Sequence, residues 1–254
     1  MKIKLFLLTS CLILTACNPS SSNESEAIDT LPKAPLFKNS IVSTDIDFIT
    51  DEDPDVFLSL GYQGQAEHEM PDRRNDLLMD DSTFVFKANF SDGNEVEIWA
   101  HSSFGSVSEA EKFAKMLAGP LGKLPQIMRQ GLPHVVIHQG DETAFGESEG
   151  HFFVLYSENM ETRIRNHDLE ETVFHETVQA ALDSTYKNSE KWLKAQKEDG
   201  IFITEYGANK PNLEDLPESA YTLLKHPGRL SADIEEWISE NIPNRLAFFR
   251  AIYK

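Results

Sequence analysis

The sequence contains few cysteines and few basic residues. Among its 254 residues there are two cysteines, Cys11 and Cys17, and 23 lysines and arginines stand against 42 aspartates and glutamates, a formal net charge of −19. Nucleic-acid phosphates repel such a charge, so we expect no nucleic-acid partner. The sequence also has no internal repeat, Gly-rich phosphate loop or heptad pattern. An apolar fraction of 40% is nevertheless enough to build a packed core.

An apolar stretch near the N-terminus predicts a secretory signal. Lys2 and Lys4 precede Leu5–Leu14, ten almost wholly apolar residues. This stretch is too short to span a bilayer but suits the hydrophobic region of a signal peptide. It ends in Leu14-Thr15-Ala16-Cys17, which resembles the lipobox of bacterial lipoproteins. The resemblance implies removal of residues 1–16 and acylation of Cys17, whereas the alternative is an ordinary signal peptide with a chance cysteine.

The lipobox resemblance implies a location in the bacterial cell envelope. Cleavage before Cys17 would discard Cys11, so the mature chain would have no thiol left for a disulfide or a zinc-thiolate site. Several acyl chains on Cys17 would hold the protein on a lipid bilayer, which is therefore its expected partner. Asn18 follows the cysteine where enterobacterial inner-membrane lipoproteins carry aspartate. We therefore expect a lipid-anchored protein of the outer membrane that faces the periplasm or the cell surface.

The rest of the sequence divides into three regions. Residues 17–55 are rich in Ser, Pro and Asp and carry nine acidic residues beside two lysines, which predicts a solvated acidic tether. Residues 56–104 are β-rich, because two alternating stretches flank the turn sequence Ser91–Asn94 in the manner of a hairpin. Residues 105–254 hold most of the predicted helices. The fold class predicted is α+β, with a β-rich N-terminal half and a helical C-terminal half.

Capping residues, prolines and apolar spacing set the ends of the other predicted elements. The predictions are helices from Ser106 or Ser108 to about Leu117, over Leu169–Asp183, after Asn188 or Ser189, and over Asp233–Tyr253, with strands near 135–138 and 151–156. We expect Gly119–Pro120 to stop the first of these helices, since proline lacks the backbone N–H that a helix interior needs.

The helix predicted over Leu169–Asp183 carries the residues of chemical interest. It contains His175-Glu176, and Gln179 stands four residues after the histidine, where the zinc motif HExxH has its second histidine. Residues four apart share a helix face, so His175 and Gln179 are predicted to converge. A second His-Glu pair, His68-Glu69, precedes a proline, so the dipeptide alone proves nothing. The alternative is a histidine beside the core and a solvated glutamate.

Two segments downstream of this helix strengthen the zinc interpretation. Together with Phe202–Gly207 and Leu213–Ser219, the helix resembles the zincin metallopeptidases of the anthrax-lethal-factor-like group, over roughly the last 90 residues. In that family, an HExxH helix is followed by a Tyr-Gly segment and by a second helix whose glutamate completes the zinc site. The resemblance implies a zincin-like domain over residues 105–254, with zinc as its cofactor.

The resemblance also implies a role for each matching residue. The roles are His175 as the first zinc ligand, Gln179 in the place of the second, Glu214 as the third, Glu176 as the general base, Tyr206 as the phenol that stabilises the oxyanion, and Glu218 as the carboxylate behind the ligands. Gln179 departs from the family pattern, and its amide is a weaker zinc donor than imidazole. We therefore expect weak or absent zinc binding unless another histidine, His167 or His226, replaces it. Glu214, Glu218 and Tyr206 also have ordinary structural alternatives, as an acidic helix start and a core tyrosine.

Two functions follow from these predictions. In the first, the protein is a metal-dependent peptidase in which Glu176 takes a proton from the attacking water. In the second, it is a catalytically degenerate zincin whose cleft binds a peptide or protein ligand without cutting it. Gln179 favours the second, while the joint presence of Glu176, Tyr206 and Glu214 favours the first.

Overall fold

One mixed β-sheet of six strands runs through the part of the chain that the structure describes. The strands are β1 (Phe57–Glu69), β2 (Met79–Phe90), β3 (Glu95–Ala100), β4 (His134–His138), β5 (Phe145–Glu147) and β6 (Phe152–Tyr156). Their order across the sheet is β1-β2-β3-β4-β6-β5. Strands β1, β2 and β3 pair antiparallel, β3, β4 and β6 pair parallel, and β5 is an antiparallel edge strand beside β6.

The structure is a computed structural model that describes residues 34–75, 78–224 and 230–253. The signal peptide predicted over 1–16, the lipidation site Cys17 and residues 18–33 of the predicted tether lie outside the described residues. Residues from Ala34 onward belong to one compact unit. Within the described ranges, no helix combines the length and the apolar character needed to cross a membrane.

Two of the described helices lie between β3 and β4, and the others follow β6 along the chain. They are α1 (Val107–Lys123), α2 (Gln126–Gln130), α3 (Ser157–Arg165), α4 (Leu169–Tyr186), α5 (Glu190–Asp199), α6 (Glu205–Asn209), α7 (Asp215–Ala220), α8 (Ala232–Asn241) and α9 (Pro243–Ile252), with short 3-10 turns at Ile41–Ser43, Ser102–Phe104 and Tyr221–Leu223. Most strand residues lie in the N-terminal half and most helices in the C-terminal half. The predicted α+β class is confirmed.

The predicted hairpin is also confirmed. Strands β2 and β3 pair antiparallel on either side of Ser91–Asn94. Gly93 in this turn has a φ of 82°, which glycine adopts without the steric cost that a side chain would bring. Along β3, Val96 and Ile98 are fully buried, while the residues between them are partly exposed. This alternation of period two places one face of the strand in the core.

Two predicted helix ends differ from the structure, and both involve proline. Helix α1 continues past Gly119–Pro120 to Lys123, because Pro120 lies near its end, where the loss of one backbone bond is offset by the burial of Leu121. The single helix predicted over Asp233–Tyr253 is two helices instead. Pro243 begins α9 at the first helical position, where its missing N–H has no partner to lose.

Residues 34–55 are folded, which corrects the prediction that the whole of 17–55 is a solvated tether. Ile41 is 0% exposed and Phe48 is 2% exposed. Phe37 forms a parallel bridge with Thr204, with backbone hydrogen bonds to Ile203 and Glu205. The composition of this segment is polar overall, but its apolar residues are enough to dock it on the helical half.

The β-rich region 56–104 and the helical region 105–254 share one sheet and one core. Parallel pairing of β3 with β4 sets Ile98 beside Val135, across the predicted boundary between the two regions. The same hydrophobic cluster contains Phe86 of β2 and Phe174 of α4. Helix α4 therefore packs against the sheet and carries its polar flank at a fixed distance from the edge strand β5.

Candidate metal centre

Helix α4 places His175 and Gln179 one turn apart on one flank. Its neighbours Phe174 and Val178 are fully buried in the core, which fixes the rotation of the helix. His175 is 5% exposed, and Gln179 is partly exposed beside it. The predicted helix and the predicted convergence of these two side chains are both confirmed.

Three side chains meet in a small triangle at this flank. The Nε2 atom of His175 lies 3.2 Å from Oε2 of Glu214 and 3.4 Å from Nε2 of Gln179. The third side, from Nε2 of Gln179 to Oε2 of Glu214, measures 3.1 Å. The structure therefore brings together the three residues that the sequence predicts as metal ligands, although Glu214 is far from the other two along the chain.

The triangle has dimensions that suit zinc. Tetrahedral zinc holds nitrogen and oxygen ligands at about 2.0–2.2 Å, which sets neighbouring donor atoms roughly 3.3–3.6 Å apart. The observed sides are close to that spacing, so His175, Glu214 and the side-chain oxygen of Gln179, once its amide turned, would be able to hold a zinc ion. Within the described residues, no group of three or more His, Cys, Asp or Glu side chains is arranged to hold a metal. The site thus offers two strong donors and one amide.

In the arrangement that the structure shows, the imidazole of His175 is hydrogen-bonded to the carboxylate of Glu214. Burial opposes a charge on His175, but the hydrogen bond to Glu214 and the charges of Glu176 and Glu218 outweigh it and raise the pKa of the imidazole to about 9. Burial likewise disfavours a charged Glu214, but the bond from His175 outweighs it and lowers the pKa of that carboxyl. His175 and Gln179 both donate to Glu214, so a metal has to displace the imidazole proton.

Glu214 and Glu218 are positioned by helix α7. Glu214 is the residue before the first turn, and Glu218 follows one turn later. Pro217 lies within the first turn, where proline is tolerated, so the predicted start of a helix near Glu214 is confirmed. Neither glutamate is an exposed acidic residue, since Glu214 is buried and Glu218 is 0% exposed.

Tyr206 lies on the opposite side of Glu214 from His175. Its hydroxyl donates to Oε1 of Glu214 at 2.9 Å and accepts from Nζ of Lys210 at 3.2 Å. Burial and the negative charge of Glu214 raise the pKa of the phenol, so it remains a hydrogen-bond donor at neutral pH. Thr204 caps the short helix α6, which carries Tyr206 to this position.

Glu218 lies behind His175 and is held by the N-terminal segment. Its Oε1 atom is 3.5 Å from Nδ1 of His175. The hydroxyl of Ser40 donates to the same carboxylate at 2.5 Å, and the backbone N–H of Ile41 donates at 2.9 Å. Ser40 and Ile41 are functional neighbours that sequence analysis missed. The apolar pair Ile41-Val42 within a polar stretch was the one available signal.

Glu176 opens onto a cleft of about 520 Å³. His175 and Tyr206 line the same cleft, and Ser40 and Val42 contribute to its wall. Burial and the charge of Glu214 raise the pKa of Glu176, while the positive charge of His175 opposes them. A carboxyl with a raised pKa beside a cleft suits a general base that works near neutral pH.

Edge strand β5 lies against α4 beside Gln179. A side chain at Gly146 would place its Cβ atom 2.6 Å from Cβ of Gln179 and 2.9 Å from the backbone oxygen of Glu176. Only glycine allows this close approach between the strand and the helix. The approach puts the backbone of β5 beside the candidate base.

Residues 146–150 also match Gly-x-Ser-x-Gly, the pattern of the nucleophile elbow of serine hydrolases. The predictions from sequence did not include this match. In an elbow, the serine sits between a strand and a helix. Here Ser148 lies in the turn of the β5–β6 hairpin, so the match does not define a nucleophile.

The other candidate histidines do not join the triangle. His167 lines a separate cavity with Lys123 and Glu170. His226 lies outside the described residues. Comparison with protein-family models, with curated proteins and with solved structures finds no match to this chain. The argument about function therefore rests on the geometry of the site.

Proposed function

We propose that this chain is a membrane-anchored, extracytoplasmic bacterial lipoprotein whose zincin-like domain hydrolyses peptide bonds. The observation that carries the proposal is the triangle of His175, Gln179 and Glu214. His175 also lines one cleft together with Glu176 and Tyr206. The lipid anchor at Cys17 rests on the lipobox resemblance alone.

In the proposed reaction, each side chain has a separate task. A zinc ion held by His175, Gln179 and Glu214 would supply Lewis acidity at the scissile carbonyl. Glu176 accepts a proton from the attacking water and passes it to the leaving amine. The Tyr206 hydroxyl, which bonds Glu214 in the structure, turns to donate to the oxyanion.

A second candidate is a degenerate zincin that binds a peptide or protein without cutting it. The observation that favours it is the amide of Gln179, which donates its N–H to Glu214 and so completes a hydrogen-bonded set without a metal. An amide oxygen is also a weaker zinc ligand than imidazole.

Metal analysis of the purified protein distinguishes these candidates. Under the peptidase proposal, we expect one zinc per chain and its loss in His175→Ala, while His167→Asn keeps it as a matched control at a separate cavity. His167 has a positive φ of 59°, which asparagine tolerates. Zinc only in Gln179→His would support the degenerate zincin. If neither the native chain nor Gln179→His binds zinc, the zincin assignment itself is overturned.

A further inference from the structure

A row of stacked rings lies on the sheet face opposite to the main core. Trp99 stacks on His68 with ring centres 3.7 Å apart and on His134 at 3.6 Å, and His134 stacks on Phe152 at 4.9 Å. Along β3, Trp99 alternates with Ile98, whose side chain belongs to the main core. Each inner ring has both faces covered by its neighbours, and the edges of Trp99, His134 and Phe152 form an aromatic floor.

This floor belongs to a groove with acidic walls. The groove has a volume of about 420 Å³, and Glu69, Glu147 and Glu149 line it beside Trp99 and Phe152. We call it the acidic groove. Its volume is within the usual range for a ligand pocket and is sufficient for one or two long side chains.

The three glutamates of the acidic groove have no basic partner among the described residues. The one contact that engages them is the carboxylate of Glu147, which accepts the backbone N–H of Glu149 at 3.0 Å. On other parts of the surface, glutamates such as Glu95 and Glu161 are paired with lysines. The acidic groove therefore combines apolar surface with unneutralised negative charge.

We propose that the acidic groove binds an extended cationic peptide through one or two lysine or arginine side chains. The aliphatic stem of such a side chain would lie on the ring edges, and its charged head would reach the carboxylates. A neutral ligand would leave three glutamates unneutralised, and a second copy of this chain would bring its own negative charge. A cationic segment would contact the rings of the floor and would also neutralise the glutamates of the walls.

The acidic groove does not depend on a metal. Glu147 also lines the cavity beside Gln179 and Glu214, so the groove and the candidate metal centre lie on either side of β5. The proposal goes beyond the proposed peptidase function and stands if that function fails.

Peptide titration of the full-length chain tests the proposal. The probe is a fluorescein-labelled peptide of alternating Ala and Lys, with matched peptides in which Gln or Glu replaces Lys, and the readout is anisotropy. We expect the Lys peptide to bind at least about tenfold more tightly than the Gln peptide, and the Glu peptide not to bind. Equal binding of the Lys and Gln peptides would overturn the proposal.

Paired variants show whether the acidic groove or the overall charge attracts the peptide. Replacing Glu147 and Glu149 by Gln should weaken Lys-peptide binding about five- to tenfold, within the range that two exposed ion pairs contribute. Replacing Glu236 and Glu240 of α8 by Gln changes the net charge equally, at exposed positions outside the groove. If the two double substitutions weaken binding of the Lys peptide equally, the acidic groove is not the binding site.

Tryptophan emission gives an independent location for binding. Trp99 lines the acidic groove, whereas Trp192 is buried in the main core. We expect the unlabelled Lys peptide to change the emission of the native chain, and Trp99→Phe to lose that change even at peptide concentrations that saturate it. A change that persists in Trp99→Phe would place the peptide elsewhere and overturn the proposal.

Discussion

The side chain of Gln179 determines which of two states the candidate metal centre can adopt. With its N–H inward, the amide donates to Glu214 and supports an ion pair between that carboxylate and His175. With its oxygen inward, it completes a triangle of donors for zinc. In the proposed peptidase, rotation of this one amide group would separate the metal-binding state from the arrangement that the structure shows.

Glu171 is a buried carboxyl whose charge costs stability. It is 2% exposed, and its Oε2 atom has no hydrogen-bond partner among the described residues. Burial is the largest influence on it and raises its pKa to about 7, although the N–H of Ile49 donates to Oε1 at 2.9 Å. The folded protein therefore binds this proton more tightly than the unfolded chain, whose glutamate has a pKa near 4.3.

We predict that Glu171→Gln gains stability relative to the native chain as the pH rises. The contribution of the native glutamate is fully present below about pH 4.3 and is lost as the pH rises to about 7, by roughly 3 kcal/mol in free energy of unfolding. The glutamine has no proton to lose, so its advantage should appear across this range. Urea unfolding at pH 5 and pH 8 measures it.

The control for this prediction is Glu109→Gln, an exposed glutamate in the first turn of α1. It should shift the free energy of unfolding by a similar small amount at both pH values. A Glu171→Gln variant with the same stability difference from native at pH 5 and pH 8 would contradict the assignment.

At the scale of elements, β5 packs closely against α4 beside Gln179. We predict that Gly146→Ala lowers the free energy of unfolding by about 1–3 kcal/mol, because its Cβ atom would clash with Gln179 and with the backbone of Glu176. Thermal or urea unfolding measures the loss. A variant as stable as the native chain would mean that β5 is not packed closely against α4.

Gly119→Ala is the matched control for this clash. Gly119 lies inside α1, and a Cβ atom there meets nothing within 4 Å. Alanine is favoured over glycine in a helix interior, but Pro120 follows directly and crowds a Cβ atom at this position, so this variant should stay within about 0.5 kcal/mol of native. The same substitution should thus be costly at Gly146 and nearly neutral at Gly119.

Local signals in the sequence predict some elements well and others poorly. Regular apolar spacing predicts α4, and the turn at Ser91–Asn94 predicts the β2–β3 hairpin. Both depend on residues close together in the chain. The continuation of α1 past Pro120 depends instead on the burial of Leu121 in the core, which a local pattern does not contain. Pro243 is a local signal for the start of a helix, and the prediction of a single helix over Asp233–Tyr253 did not use it.

At the scale of the whole molecule, the N-terminal segment completes the helical half. Its backbone N–H groups at Ile41 and Ile49 each donate a hydrogen bond to a buried carboxylate, that of Glu218 and that of Glu171. Sequence analysis could predict His175, Gln179 and Glu214 from a motif and a resemblance. It could not predict that Ser40 reaches Glu218 across 178 positions, because no short-range pattern encodes that contact.

We predict that a chain beginning at Asp51 loses cooperative thermal unfolding. It lacks Ile41 and Phe48, each worth about 1.5–3 kcal/mol when fully buried, and leaves two buried carboxylates without donors. The combined loss is comparable to the total stability of many domains, about 5–15 kcal/mol. Circular dichroism during heating measures the transition.

A chain beginning at Ala34 is the control for this truncation, because it keeps every contact of the segment that the structure describes. We expect it to melt cooperatively, with a midpoint close to that of the full-length chain. If the chain beginning at Asp51 melts at the same temperature, the packing of residues 34–50 contributes nothing.

The hydrogen bond between Ser40 and Glu218 has a consequence for where the cleft can work. In the proposed lipoprotein, 16 residues separate Cys17 from the folded segment that begins at Ala34, and a chain of that length extends no more than about 60 Å. Because Ser40 is part of the cleft wall, that length limits how far the cleft can be from the bilayer. The cleft can then reach only polypeptides that come within this distance of the membrane surface.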